Sequence, residues 1–397
     1  MLRLKDVCEI NKRTYSVKEK WSVIYYLDTQ NINKGQINEV KRYNTEWEKI
    51  PSRAKRKVSK NDILYSMVRP NQQHYGIIQS EKENFLVSTG FAVITVNENI
   101  ADPYFIYYFL TQAQVIEYLQ NIAEQSTSTY PAIRPSDIEE LAIDLPDLEK
   151  QKRIGKFLRS IDETINVKKN INDNLQQQAQ ALYKSCFVDF DPYDGIMPSD
   201  WIIGTVDDLA KEIVCGKTPS TKISEYYGSE IPFITIPDMH GKIYVMTTER
   251  YLSMYGANSQ PKKTLPKNSI CVSCIGTAGL VSLVASESQT NQQINSIIPK
   301  DDYSPYYIYL LMRTLSEVIN KLGQGGSTIV NLNKAQFGKI QVMIPTVASM
   351  RKFDKTVSPL FSVILENQKE NIYLSSLRDT LLPRLMSGEL DVSDIQL

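Results

Sequence analysis

The sequence is poor in the residues that most often bind metals. Histidine occurs twice in 397 residues, as His74 and His240, which is too few for most histidine-based zinc sites. The five cysteines have no dense spacing, and the Cys271-x-x-Cys274 pair has no second pair to complete a metal site. This pair lies in a strand-like run, so we predict buried thiols in a reducing, cytoplasmic protein and no metal site.

Long apolar runs are also missing. No stretch of about 18 apolar residues occurs, so neither a transmembrane helix nor a membrane partner is predicted. The start, MLRLKDVCEINKR, has no apolar core ahead of a small-residue cleavage site, so we expect no signal peptide. The apolar share of 42% and the charged share of 23% are those of an ordinary globular protein, and the length predicts two or more domains.

Signatures of catalysis are absent as well. The GKT at 216–218 lacks the first glycine of the phosphate-binding GxxxxGK[ST] motif, and no GxGxxG occurs. Two Pro-Asp pairs resemble the start of a nuclease motif, but no acid-x-Lys follows either of them closely. The Asp-Pro-Tyr runs have one proline each, unlike the NPPY-type loop of amino-methyltransferases. We therefore predict that this chain carries no catalytic residue.

What the sequence does contain is an internal duplication. At an offset of 199 residues, STYPAIRPSDIEELAIDLP (128–146) aligns with STIVNLNKAQFGKIQVMIP (327–345), and the apolar positions agree. Upstream the offset drifts to 207, where KNDILYS (60–66) aligns with KNSICVS (267–273), which indicates loop insertions between matched strands. Each repeat is predicted to be an αβ domain of short strands followed by one long helix.

The fold class is therefore predicted to be α+β, with two tandem αβ domains and two long helices. The first αβ domain is assigned to 1–146, the first helix to 147–188, the second αβ domain to 189–345 and the second helix to 346–390. The turn-rich DFDPYDGIMPSD separates the two repeats.

The two long helices share a seam of apolar residues. In the first helix they follow the 4–3–4 spacing of a coiled coil, and Arg378 is the only mismatch when the seam is copied 199 residues later. An isolated amphipathic helix cannot bury such a stripe, so we expect the helices to pack on each other; alternatively, each packs on its own domain. The predicted seam consists of Ile154, Leu158, Ile161, Ile165, Leu175, Ala179, Leu182, Phe353, Val357, Leu360, Ile364, Leu374 and Leu381, and Arg378 occupies the position that matches Ala179.

Both seams turn polar at the same place, at Lys168 and Asn172 in the first helix and at Asn367 and Asn371 in the second. Such residues fix register and orientation when they meet a partner. Pro359 predicts a kink or a short break in the second helix. If the helices form an antiparallel coiled coil, the two αβ domains are related by a pseudo-twofold axis, which is also a symmetry of B-DNA.

These residues resemble a known family. LEKQKRIGKFLRSIDETI (148–165) and LQQQAQALYKSCFVDFDP (175–192) are similar to the central conserved region of type I restriction–modification specificity (S) subunits. DILYSMVRPNQQHYGII (62–78) resembles a strand and loop of their target recognition domains. TNQQINSIIP (290–299) and LRDTLLPRLMSGEL (377–390) are similar to further family signatures, so the resemblance covers nearly the whole chain.

The resemblance implies that each αβ domain is a target recognition domain that reads one half of a bipartite sequence in double-stranded DNA. The antiparallel coiled coil would set the gap between the halves. Two methyltransferase (M) subunits would dock on the S subunit to form an adenine methyltransferase, and two ATP-driven restriction (R) subunits can join. S-adenosylmethionine, ATP and magnesium are expected on those partners, and none on this chain, which would supply sequence choice alone.

Candidate DNA-binding residues cluster in loops and in one basic run, RAKRKVSK (53–60), although the net charge of the chain is zero. MVRPNQQHYG places arginine and amide side chains after a strand, and these types form bidentate pairs with guanine and adenine edges. GKTPSTK (216–222) and the 53–60 patch are predicted to be counterparts that contact the DNA backbone. The candidates are Arg53, Lys55, Arg56, Lys57, Arg69, Asn71, Gln72, Gln73, Lys217, Thr218, Ser220, Lys222, Gly276, Asn291, Gln292, Gln293, Gln324, Ser327 and Thr328.

Structural alternatives exist for each cluster. The 53–60 run and the loop at 69–73 are also compatible with solvated surface loops. Asn291 and its neighbours are equally compatible with a buried amide network, and GQGGST (323–328) with a plain turn. Two other functions fit a duplicated chain: a protein–protein adaptor that makes no DNA contact, which the zero net charge favours slightly, and a standalone nuclease or methyltransferase, which the missing motifs disfavour.

Overall fold

The computed structural model describes residues 2–125, 130–323 and 331–392. The chain divides into two compact units: unit 1 consists of Met1–Ile165 with Leu374–Leu397, and unit 2 of Asn166–Tyr373. Both divisions fall inside the long helices. Each unit therefore combines one αβ domain with a segment of each helix, a grouping that differs from the four predicted sequence segments.

Short strands dominate unit 1. One sheet has the order β2-β11-β8-β9 and is antiparallel throughout, and another has the order β6-β3-β10-β7, in which β3 and β10 are parallel. The strands are β1 (Leu2–Arg3), β2 (Cys8–Ile10), β3 (Val23–Leu27), β4 (Ile32–Asn33), β5 (Gln36–Ile37), β6 (Lys41–Asn44), β7 (Ala54–Lys57), β8 (Ile63–Ser66), β9 (Tyr75–Ile77), β10 (Phe85–Ser88), β11 (Phe91–Val96) and β12 (Ala142–Ile143). The helices are α1 (Pro103–Leu110), α2 (Ala113–Glu124), α3 (Pro135–Glu139) and the long α4 (Leu148–Phe187), which continues into unit 2.

Unit 2 repeats this plan. Its largest sheet has the order β14-β21-β18-β19-β16, and a second sheet has the order β17-β15-β20, in which β15 and β20 are parallel. The strands are β13 (Ile202–Thr205), β14 (Ala210–Cys215), β15 (Tyr227–Ile234), β16 (Tyr244–Val245), β17 (Arg250–Leu252), β18 (Ile270–Ser273), β19 (Val281–Val284), β20 (Gln289–Thr290), β21 (Ile294–Pro299) and β22 (Gln341–Ile344). The helices are α5 (Val206–Leu209), α6 (Ile236–Met239), α7 (Met254–Asn258), α8 (Pro305–Thr314), α9 (Ser316–Gly323), α10 (Lys334–Gly338) and α11 (Val347–Met386), whose end lies in unit 1.

The strand orders show that the duplication extends to topology. The order β2-β11-β8-β9 of unit 1 matches β14-β21-β18-β19 of unit 2. Directly after the central strand, the Ile133 amide donates to the Met67 carbonyl, and the Leu332 amide donates to the Cys274 carbonyl, over 2.8 and 2.9 Å. The two contacts are equivalent: Met67 and Cys274 are 207 residues apart, and Ile133 and Leu332 are 199 residues apart, so each offset found in the sequence relates one partner of the contact.

The first helix of each αβ domain begins in the same way. Asp102 caps α1 and Ser304 caps α8, because each side chain accepts a hydrogen bond from a backbone amide three residues later, and a proline occupies the first helical position. Six of the eight residues of α1 and six of the ten residues of α8 are buried, which explains the apolar composition of both helices. They connect the sheets to the long helices.

The long helices pack antiparallel within unit 2. Asn367 Nδ2 donates to Asn172 Oδ1 over 2.9 Å, and farther along the helices the rings of Tyr183 and Phe353 meet edge-on with centroids 6.4 Å apart. A residue later in α4 therefore contacts a residue earlier in α11. The predicted polar interruption has its partner, since Lys168 Nζ also lies 2.7 Å from a carboxylate oxygen of α11.

In unit 1 the helices meet through a polar contact that the sequence pattern missed. Arg378, the mismatch in the predicted seam, places a guanidinium nitrogen 2.6 Å from Asp162 Oδ1, and the Tyr108 hydroxyl donates to Asp162 Oδ2 over 2.7 Å. Burial disfavours the charge of Arg378, but the Asp162 carboxylate and its hydrogen bonds raise the pKa of Arg378 above its usual value. Arg378 is thus a paired, half-buried cation rather than a defect.

The buried stripe is wider than the predicted seam. Ile154, Leu158, Ile161, Ile165, Phe353, Val357 and Ile364 are buried, whereas Leu175, Leu182, Leu360, Leu374 and Leu381 are only half-buried. Ala179 of the predicted seam is buried as well, and the neighbouring Tyr183, Phe361, Leu382 and Leu385 are buried in place of the half-buried leucines. Each helix segment packs on its own αβ domain as well as on the other helix, as the 5.6 Å between the Tyr183 and Tyr307 ring centroids shows. A coiled-coil seam with two apolar positions per heptad is therefore narrower than the face that these helices bury.

Of the two outcomes predicted at Pro359, the short break is wrong and the kink stays a prediction. Helix α11 runs without interruption from Val347 to Met386. Proline removes one backbone hydrogen bond, but Val357 and Phe361 on either side are fully buried and hold the helix in place. Tertiary packing therefore outweighs the local preference to stop.

We expect Asn172→Ala to lower the free energy of unfolding by about 1–3 kcal/mol, because Asn367 loses its acceptor in a half-buried position. Urea unfolding of the full chain measures this loss. The control is Asn170→Ala, which removes an exposed amide from the same helix and should leave the midpoint nearly unchanged. Equal midpoints for the two variants would contradict a stabilising role for the Asn172–Asn367 contact.

Candidate nucleic-acid interface

The predicted reading loop of unit 1 is held in an unusual backbone conformation. Pro70–Gln72 form one turn of 3₁₀ helix after β8, and the flanking Arg69 and Gln73 have left-handed φ angles of 48° and 57°. Such angles cost free energy in residues other than glycine, so surrounding contacts must maintain them. Pro70 is buried beneath the turn, while Asn71 and Gln72 are exposed.

Contacts from α2 and the following loop maintain that turn. The Arg69 amide donates to the Pro131 carbonyl over 2.9 Å, and the Asn71 amide donates to Gln120 Oε1 over 3.2 Å. The Arg69 guanidinium lies 5.2 Å from the centre of the Tyr130 ring. Gln120 was not predicted as a site residue, because nothing in a helical polar position indicates that it will meet a loop about 50 residues upstream.

The middle of the basic run at 53–60 is the strand β7 (Ala54–Lys57) rather than a loop. Arg53 and Lys55 are exposed, but Lys57 pairs with Glu19 and lies 5.1 Å from the centre of the Trp21 ring. Arg56 is half-buried and its Nη1 lies 3.5 Å from a threonine hydroxyl. The alternation of a strand thus leaves only part of the predicted patch open to a ligand.

Three predicted segments of unit 2 meet at one place. The Lys217 amide donates to the Thr290 carbonyl over 2.9 Å, and the Thr218 hydroxyl donates to Gln292 Oε1 over 2.8 Å. The Gln293 carbonyl accepts from the backbone amide of Cys274, just ahead of the loop that contains Gly276. The loops at 216–218, 274–276 and 290–293 therefore form one surface, at the end of the sheet where β14, β18 and β21 meet.

Gly216 is required for this packing. A Cβ at that position would lie 2.1 Å from the Asn291 carbonyl oxygen and 2.4 Å from that of Thr290, and both atoms belong to backbone. Gly276 has a left-handed φ of 76° and is exposed. Glycine therefore serves close approach at one position and a turn at the other.

The structure separates the amides of the TNQQIN segment. Asn291 is 9% exposed and its Nδ2 donates to Gln293 Oε1 over 3.0 Å, which is the buried amide arrangement that the sequence left open. Gln292 is exposed beside Thr218. Of these side chains, Gln292 is the one placed to reach a ligand.

A buried pair of glutamines supports the same surface and was missed by the sequence analysis. Gln260 Nε2 donates to the Lys217 carbonyl and to Gln289 Oε1, both over 2.8 Å. Gln289 Nε2 donates to the Ala257 carbonyl over 3.0 Å. Buried, fully bonded amides hold a loop rigid, and no sequence motif marks them.

The remaining predicted residues divide into two groups. Ser220 and Lys222 are exposed on the continuation of the Lys217 loop. Gln324, Ser327 and Thr328 lie outside the described residues. The contacts of all these residues with DNA stay predictions.

Other chemistry is limited in the described ranges. Cys271 and Cys274 are buried as predicted, and burial raises the pKa of these thiols to about 12 and about 11. Residues 2–125, 130–323 and 331–392 contain no group of three or more histidine, cysteine or acidic side chains arranged to hold a metal ion. Within the same ranges, no helix is both long and apolar enough to span a membrane.

Comparison with known proteins gives the class. The sequence model of the family described as "Type I restriction modification DNA specificity domain" matches residues 1–177 and 198–372. The chain therefore belongs to the type I restriction–modification DNA specificity family, as its motifs predicted.

Individual relatives agree with this class. The chain is 36% identical to the Type I restriction enzyme HindI specificity subunit of Haemophilus influenzae, over 86% of this chain and 89% of that protein. It is 26% identical to the Type I restriction enzyme MjaIX specificity subunit of Methanocaldococcus jannaschii, over 81% and 76%. The crystal structure of the Type-I restriction-modification system S subunit from M. genitalium shares the fold, with a TM-score of 0.59 at 17% identity over 97% of this chain and 95% of that chain.

We expect Gly216→Ala to separate the 216–218 loop from the 290–293 loop, because the added Cβ would meet the backbone carbonyls of Thr290 and Asn291. The free energy of unfolding should fall by about 1–3 kcal/mol, and the Lys217 amide should lose protection from hydrogen exchange. Thr221→Ala, an exposed position on the same loop, is the control and should change neither. Unchanged protection at Lys217 in the Gly216 variant would show that the two loops are not locked together.

Proposed function

We propose that this specificity subunit reads a bipartite sequence in double-stranded DNA, one half with each αβ domain. The observation that carries this proposal is that both units end the same strand arrangement in a loop at the same place, after Met67 and after Cys274. The loops differ in chemistry. The loop after Met67 presents Asn71 and Gln72 beside Arg69, whereas the loop after Cys274 presents Gly276 on the same surface as Gln292, which is exposed beside Thr218.

Different side chains on one scaffold are what two different half-sites require. Arginine and amide side chains recognise purine edges in the major groove through paired hydrogen bonds. A loop that is rigid before DNA arrives loses less conformational entropy on binding, and the contacts of Gln120 and Gln260 supply that rigidity. The lysines of the neighbouring segments would supply affinity through phosphates without reading sequence.

The long helices are proposed to set the gap between the half-sites. Antiparallel packing of α4 on α11 within unit 2 supports an antiparallel coiled coil with a pseudo-twofold relation between the domains. Two M subunits would dock on the chain to form the adenine methyltransferase, and R subunits would join for cleavage. S-adenosylmethionine, ATP and magnesium would then bind to those partners, leaving this chain a non-catalytic, cytoplasmic subunit.

The proposal is tested by exchanging one domain. Residues 1–145 are replaced by the corresponding domain of another family member, in a host that also carries the partner subunits, and genomic methylation is sequenced. We expect one half of the methylated sequence to change and the other half and the gap to remain. Changes in both halves would contradict the division of labour, and an unchanged sequence would favour the adaptor function instead.

A further inference from the structure

The two units carry a second duplicated feature, a basic strip that leads into the central strand. RAKRKVSKN (53–61) in unit 1 and QPKKTLPKN (260–268) in unit 2 align at the same offset of 207 residues as the strands that follow them. The alignment places Lys55 with Lys262 and Lys60 with Lys267. The predicted pairing of 53–60 with GKTPSTK is therefore wrong.

Backbone geometry supports the new pairing. Asn61 and Asn268 both have left-handed φ angles, of 69° and 67°. Their amides donate to the carbonyls of Ile78 and Val284, both over 2.8 Å, and each of these acceptors follows or ends the strand paired with the central one. The strip thus enters each sheet along the same path.

GKTPSTK has a different counterpart, KRTYSVK (12–18). In unit 1 the Arg13 carbonyl accepts from the Lys57 amide over 3.1 Å, and in unit 2 the Lys217 carbonyl accepts from Gln260 Nε2 over 2.8 Å. Each strip therefore runs beside the loop that follows the first strand of its main sheet. In unit 2 Lys263 Nζ adds a bond to the Cys215 carbonyl over 2.8 Å, so the strip directly adjoins the surface formed by Lys217 and Gln292.

The charges on the strips are open to a ligand. Lys55, Lys60, Lys262 and Lys267 are exposed, and none of the four forms an ion pair with residues 2–125, 130–323 or 331–392. By contrast, Lys57 is neutralised by Glu19, and its counterpart in the alignment is the uncharged Thr264. A third recurring cation, Arg56 aligned with Lys263, is hydrogen-bonded within each domain, so among the described residues the recurring charges that stay exposed without an ion pair are those of the two lysine pairs.

We propose that these lysines form a phosphate-binding strip in each domain that positions duplex DNA independently of its sequence. This inference rests on the proposed function and adds to it. The reading loops differ between the units, as half-sites differ, whereas the strips agree, as the phosphate backbone does at both half-sites. A lysine ammonium suits this contact, because it is a mobile point charge without the planar fork that arginine uses to read bases.

The test compares three double variants of the full chain with its partner subunits: Lys262→Gln/Lys267→Gln, Lys55→Gln/Lys60→Gln and, as a control, Lys211→Gln/Lys300→Gln. The control lysines lie at the opposite end of the β14–β21 pair from Cys215. Affinity is measured from 0.05 to 0.3 M salt for the methylated sequence and for unrelated DNA. Each strip variant should bind both DNAs on the order of tenfold more weakly at low salt, with the slope of log affinity against log salt reduced by about 1.8.

Any one of three results would contradict the proposed phosphate-binding role of the strips. The slope remains at the wild-type value, the loss is confined to the target sequence, or the variants lose M subunits while DNA binding by the assembled complex is unchanged. The last result would mean that the lysines bind an acidic surface of an M subunit rather than DNA. Failure of the proposed function is distinguishable, since the wild-type complex itself would then show no preference for the methylated sequence.

A separate observation concerns the helices. The polar set Tyr108, Asp162 and Arg378 of unit 1 has apolar counterparts in unit 2, which are Leu310, Phe361 and Ala179. All three counterparts belong to the core of unit 2 and are buried. The same architectural position is therefore filled by a charge pair in one unit and by apolar contact in the other.

We infer that this difference selects pairing of α4 with α11 over pairing of identical helices from two copies of the chain. If α4 of one chain paired with α4 of a second copy, Asp162 would lie opposite Ala179. If α11 paired with α11 of the second copy, Arg378 would lie opposite Phe361. Each arrangement leaves a half-buried charge without its partner, which is strongly unfavourable. In the native pairing Arg378 and Asp162 are 2.6 Å apart.

The test is Tyr108→Leu/Asp162→Phe/Arg378→Ala, which copies the apolar set of unit 2 into unit 1. We expect this variant to form dimers at concentrations where the wild type is monomeric, as measured by light scattering. The control is the reversal Asp162→Arg/Arg378→Asp, which keeps the preference for unlike helices and should match the wild-type mass. A variant that stays folded by circular dichroism and monomeric at every concentration would overturn the inference, as would dimers of the control.

Discussion

An amphipathic helix of 40 residues has to bury its apolar stripe, and the rest of this structure depends on where α4 and α11 do so. Tyr183 and Phe187 of α4 belong to the same core as the sheet and helices of unit 2. Ile154 and Leu158 of the same helix belong to the core of unit 1. The helices are therefore part of each domain's interior, which is why the compact units divide within them rather than at their ends.

We infer that polar residues inside these helix contacts contribute specificity more than stability. A half-buried ion pair such as Arg378–Asp162 gains little over an apolar contact of similar volume, as the apolar counterparts in unit 2 illustrate. The Asn172–Asn367 contact likewise replaces apolar packing with one hydrogen bond. What such contacts add is a large penalty for every other register or partner, and a protein with two nearly equivalent helices has many such alternatives.

In the recognition surfaces, by contrast, the two units share a scaffold and differ in the loops that this scaffold carries. Strand order, helix caps and the contacts of Met67 and Cys274 are alike in both units. The loops after the central strands share neither length nor chemistry, and each is held by its own set of contacts: Gln120 and Pro131 in unit 1, Ser273 and Ser316 in unit 2. A loop can change its side chains without loss of the fold, because its backbone is anchored by groups outside it.

The sequence by itself determined the duplication, the presence and extent of the long helices, the buried thiols and the family, because these depend on periodicity and on motifs that are local in the chain. Only the tertiary structure decided that Tyr183 rather than Leu182 is fully buried, that α11 continues through Pro359, that Lys57 is neutralised by Glu19 and that Asn291 is buried. The physical reason is that each of these outcomes is set by groups distant in the chain. A hydrophobic period shows which face of a helix or strand is apolar, but burial and charge neutralisation depend on what that face meets.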